Sequence, residues 1–124
     1  MLKRLFLISI LSVFLFGCKK DERLEEYLFK SWTLHWKQCG LYYNRYNAQL
    51  TFTETDTTNF GIYSEQGYND VTFDFTILSD QEVLLYNATD DQWDGVLNIH
   101  SFGNNRLEIS RPKKGCENEL FQFN

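Results

Sequence analysis

Proline is almost absent from this 124-residue chain, which has one; methionine is equally scarce, with one, and histidine nearly so, with two. A single proline beside 43% hydrophobic residues excludes a proline-rich or low-complexity disordered chain. No Gly-x-Ser-x-Gly elbow, H-E-x-x-H, P-loop or Gly-x-Gly-x-x-Gly occurs, so no catalytic or nucleotide signature is present. The three cysteines form no C-x-x-C, which argues against a redox motif. Basic residues number 12 against 17 acidic ones, and that deficit argues against a general nucleic-acid binder. The longest apolar run, Leu5 to Phe16, is too short for an ordinary membrane span of about 20 residues. Aromatic residues, in contrast, reach 17%, which favours β structure.

The N-terminus reads as an address. Lys3 and Arg4 precede the apolar stretch Leu5 to Phe16, the arrangement of a secretory signal. Leu15-Phe16-Gly17-Cys18 resembles the lipobox of bacterial lipoproteins. That resemblance implies cleavage before Cys18 and acylation of the cysteine, with residues 1–17 as the leader. Two or three acyl chains anchor stably where one alone is marginal. Lys20-Asp21-Glu22 resembles the surface-export signal of Bacteroidetes lipoproteins, and no aspartate directly follows Cys18 to retain the protein at an inner membrane. The expectation is an outer-membrane, lipid-anchored protein displayed at the cell surface.

Residues 18–30 form the tether and a short helix: within Asp21 to Phe29, Leu24 and Leu28 stand at i, i+4 beside Tyr27. From Ser31 the period changes to two. Trp32, Leu34 and Trp36 alternate with Thr33, His35 and Lys37, and Val71, Phe73, Phe75 and Ile77 with Thr72, Asp74 and Thr76. Further strands are read at 49–53, 59–63, 82–86, 95–101, 106–110 and 120–123, with Phe52, Phe60 and Ile62 on apolar faces. The connectors are short and polar, and none resembles a crossover helix, so the sheet is antiparallel. An up-and-down barrel or a two-sheet sandwich satisfies this pattern.

With Cys18 consumed by lipid, Cys39 and Cys116 remain, and in an exported chain they most simply pair. Cys39 ends the first strand and Cys116 lies just before the last, which places the bridge at the seam of a barrel.

The short helix, Leu28-Phe29-Lys30-Ser31-Trp32 and the meander after it resemble the lipocalin-like domains of bacterial lipoproteins, with Lys30 where that family commonly has glycine. The resemblance implies an all-β fold over residues 31–124: a small antiparallel up-and-down barrel of about eight strands, Trp32 plugging its closed end. It also implies a small apolar or amphipathic ligand in the interior. Trp36, Phe52, Phe60 and Phe75 are the residues expected to meet it, although for each of them core packing is the commoner role.

No enzyme chemistry, cofactor or metal is expected. Asp90, Gln92, Asp94 and Gly95 imitate the start of an EF-hand, but Gln92 is a poor ligand and Ser101 stands where the bidentate Glu is required. Trp93 in that loop is expected either to contact a sugar or partner or to cover a barrel mouth. Gly40 to Tyr46, with Tyr42, Tyr43, Tyr46 and Arg45, has the composition of a contact surface. Two functions follow: a lipid-anchored module binding a small ligand, or a filled barrel meeting a protein or glycan through exposed aromatic loops.

Overall fold

The computed structural model describes residues 23–40, 42–44, 47–113 and 115–124. The leader and Cys18 lie outside the described residues.

A single helical turn, α1 (Glu25–Leu28), leads into nine strands: β1 (Ser31–Cys39), β2 (Tyr42–Asn44), β3 (Ala48–Glu54), β4 (Asn59–Glu65), β5 (Val71–Ser79), β6 (Glu82–Tyr86), β7 (Gly95–Gly103), β8 (Arg106–Lys113) and β9 (Cys116–Phe123). Every pairing is antiparallel, and consecutive strands neighbour one another from β3 to β9. β1 pairs with β9 and closes the sheet, so β1 and β3–β9 form an eight-stranded up-and-down barrel. The fold is compatible with the lipocalin-like architecture. The short β2, which sequence alone reads as loop, pairs with Lys37 to Cys39 beyond the point where β1 leaves β3.

Hydrophobic alternation explains most of the interior. Val71, Phe73 and Phe75 of β5 point inward beside Leu50 and Phe52 of β3, Val83 and Leu85 of β6, and Phe121 and Phe123 of β9. Burying each of these side chains contributes roughly 1.5–3 kcal/mol.

Two elements break the simple alternation. In β1 the register against β9 shifts between Leu34 and Trp36, leaving His35 as an extra residue in a β-bulge. The bulge reverses the faces, so that Lys37, opposite the buried Phe121, turns inward. Trp36, opposite Gln122, turns outward, which corrects the expectation that it follows Trp32 and Leu34 into the interior. In β4 the inward residues are Gly61, Tyr63 and Glu65, not Phe60 and Ile62. The reason lies at Gly61: a Cβ there would run into the ring of Phe73. The inward position is a glycine because the neighbouring strand's phenylalanine occupies its space, and Phe60 faces outward opposite Asp74.

One end of the barrel is closed. Leu24 and Leu28 of the α1 turn are fully buried there with Trp32, whose indole N–H donates to the Leu28 carbonyl at 3.0 Å. Phe29 packs on Phe75, and Tyr27 on Phe102. The turn is latched by the Leu24 amide donating to Asp80 Oδ1 at 2.9 Å and by the Lys30 ammonium donating to the Asn104 carbonyl. Lys30 also lies 4.0 Å from the Trp32 ring centroid and covers this buried residue as a cation on its aromatic face.

Candidate functional site

The opposite end is open and holds the charges. A cavity of about 780 Å³ occupies this mouth, within the range of small-molecule sites. Its inner wall is formed by Lys37 from β1, Tyr63 and Glu65 from β4, Arg111 and Lys113 from β8, and Glu119 from β9. Residues of the 68–71 and 89–93 segments complete the rim.

Two ion-pair groups organise this wall. Glu119, whose side chain is 2% exposed, accepts from Arg111 Nη2 on Oε1 and from Lys113 Nζ on Oε2, both at 2.9 Å. Glu65 Oε1 accepts from Lys37 Nζ at 2.5 Å and from the Tyr63 hydroxyl at 2.8 Å. Burial pushes the Tyr63 phenol well above its ordinary range, and the hydrogen bond to Glu65 and the charges of Glu65 and Glu119 push it further, against the opposing Arg111. Tyr63 therefore stays a neutral donor at physiological pH. Buried pairs of this kind are weak evidence for stability, because desolvation offsets much of their attraction. Their concentration in a cavity makes this mouth the candidate site.

Trp93 makes the floor. The 3₁₀ turn Asp91–Trp93 carries it into the mouth, where it is 5% exposed. It lies 4.6 Å from Tyr63, centroid to centroid, and stacks parallel to Phe73 at 6.2 Å. The Arg111 guanidinium lies 4.2 Å over its ring and donates to the Gln92 carbonyl at 3.0 Å. The loop acids serve the loop itself: Asp90 Oδ1 accepts from the Gln92 amide, and Asp94 Oδ1 from the Ala88 amide. Of the two roles open to Trp93 from sequence, the structure selects the cover of a barrel mouth. Among the described residues, no group of three or more His, Cys, Asp and Glu is placed to hold a metal ion.

The cysteines meet as expected: Cys39 and Cys116 are joined, with Cα atoms 5.6 Å apart, bridging β1 and β9 at the seam beside the mouth. The four aromatics expected to contact ligand are not brought together at the cavity. Phe52 and Phe75 pack edge-to-face at 5.1 Å in the core, 2% and 1% exposed. Trp36 and Phe60 lie on the outer face. Of the expected contact-loop tyrosines, Tyr42 and Tyr43 contribute backbone to β2, and Tyr46 lies outside the described residues. His100, the extra residue of a bulge in β7, shares a 2.7 Å hydrogen bond with the Ser110 hydroxyl.

Sequence reasoning missed Lys37, Tyr63, Glu65, Arg111, Lys113 and Glu119. The parity of Gly61, Tyr63 and Glu65 was a usable signal for β4. For β1 the signal was weaker: Lys37 shares parity with Cys39, whose bridge ties it to the seam. Comparison with protein-family models, with curated proteins and with solved structures finds no match to this chain.

Proposed function

We propose that this chain is a lipid-anchored, extracytoplasmic binding module that holds a small amphipathic ligand at the charged mouth of its barrel. The cavity at the mouth carries this reading. It combines room for a ligand with an aromatic floor and fixed, buried charges, while the apolar half of the interior is filled by its own phenylalanines. An amphipathic ligand suits that division better than a wholly apolar one. The competing reading, a filled barrel meeting a partner through exposed aromatics, loses Trp93, which is buried.

The lipobox-like Leu15-Phe16-Gly17-Cys18 supports the anchor. Arg23, five residues after Cys18, belongs to the closed end, so a tether of at most roughly 18 Å turns that end to the membrane and the mouth to solvent. Membrane fractionation of the full chain tests the anchor: Cys18→Ala releases the protein to the soluble fraction, and unchanged retention refutes lipidation at that residue. Thermal-shift screening of amphipathic and apolar compounds tests the binding. Stabilisation by an amphipathic subset supports it, and a flat response across fatty acids, sterols and haem-like compounds refutes it.

A further inference from the structure

Resting on that reading, we infer that the mouth selects a small organic monoanion, its carboxylate met by Lys113 and Arg111 and its apolar body lying against Tyr63 and Trp93. Three cations and two carboxylates line the inner wall, an excess of one positive charge. The carboxylates are already engaged. Glu119 commits one oxygen to each of two cations, and Glu65 Oε1 takes two donors.

Lys113 keeps donor capacity. Lys113 spends one donor on Glu119, and its side chain is 34% exposed toward the cavity it lines. An ammonium has three donors to place. Arg111, 9% exposed and also lining the cavity, has its two terminal nitrogens engaged by the Gln92 carbonyl and Glu119, so its contribution to an anion is its charge. An incoming carboxylate accepts from the donors that Lys113 keeps.

The rim has the opposite sign: Asp70 and Asp90 line the cavity and are both exposed. Water and salt screen these two, whereas the inner cations are screened less. A single carboxylate at the inner wall therefore gains more from the cations than it loses to the rim. A second anionic group at the rim meets only carboxylates, so dianions are disfavoured.

Isothermal titration of the purified full chain with octanoate, octanamide and octylammonium tests the inference. Octanoate binds, octanamide binds roughly ten-fold or more weakly, and octylammonium binds least, as the loss of charge-assisted bonds requires. Lys113→Gln, monitored for an unchanged circular dichroism spectrum, weakens octanoate about five-fold or more and weakens octanamide by a smaller factor. Asp70→Asn, an exposed change that spares the inner wall, strengthens octanoate by about two-fold. Equal affinity for octanoate and octanamide, or a preference for octylammonium, overturns the anion selection while leaving a binding module. Failure of all three to bind the folded chain overturns both.

Discussion

Gly61→Ala places one methyl group where the structure has no space for it. The position faces inward, and the added carbon meets the Cε2 and Cζ atoms of Phe73. That ring cannot swing aside freely: it is 1% exposed and bounded by Phe52, Phe75 and the stacked Trp93. Overpacking a core by a methylene costs about 1–3 kcal/mol, and the lower unfolded-state entropy of alanine returns about 0.4–1, leaving a net loss of about 1–2 kcal/mol. In a domain of this size that loss lowers Tm by roughly 5–15 °C. The companion change, Phe60→Ala, removes a much larger side chain from the outer face and costs about 1 kcal/mol or less. Urea denaturation followed by far-ultraviolet circular dichroism measures both. A neutral Gly61→Ala beside a Phe60→Ala that loses 3 kcal/mol or more, the usual cost of a core phenylalanine, would show that β4 presents its other face to the core.

Three further outcomes follow from the mouth and the seam. Reducing Cys39–Cys116, which are 77 residues apart in sequence, removes about 4–5 kcal/mol on the loop-entropy account, and the same loss appears in Cys39→Ser/Cys116→Ser unfolding curves. Glu119→Gln leaves Arg111 and Lys113 without their buried counter-charge and costs about 3–5 kcal/mol in the same denaturation assay. Because the folded-state pKa of Tyr63 is raised, the native state holds its proton longer than the unfolded chain does. That contribution to stability is complete below about pH 10 and declines as pH rises above it. Tyr63→Phe should flatten this part of the stability profile, and ultraviolet titration should show one tyrosine ionising later than the rest.

The barrel was legible in the sequence wherever one strand face is uniformly apolar. Val71-Thr72-Phe73-Asp74-Phe75 could be read correctly because its inward residues are all large and its outward ones polar. The seam was legible too, from two cysteines at the ends of the first and last strands. The mouth was not. Its residues are charged, and alternation treats inward-facing charges as surface. Lys37 was assigned outward because nothing local announces the bulge at His35, which depends on the pairing of β1 with β9 at the far end of the chain. Gly61 concealed the phase of β4 because its lack of a side chain reflects a clash with a different strand. Arg111, Lys113 and Glu119 come together only through the β8–β9 hairpin, in which Arg111 stands opposite Glu119. Composition indicated an aromatic-rich interior but not that the aromatics fill one half and leave the other to ion pairs.

Amide chemical-shift mapping tests the central claim, that ligand is taken at the charged mouth, most directly. Titrating the isotope-labelled full chain with octanoate should shift the amides of Tyr63, Glu65, Val71, Gln92, Trp93, Arg111 and Glu119 saturably, with one common dissociation constant. The amides of Leu24, Leu28, Trp32 and Phe102 at the closed end should stay in place. Shifts concentrated at the closed end, or none at the mouth at saturating ligand, would contradict the account.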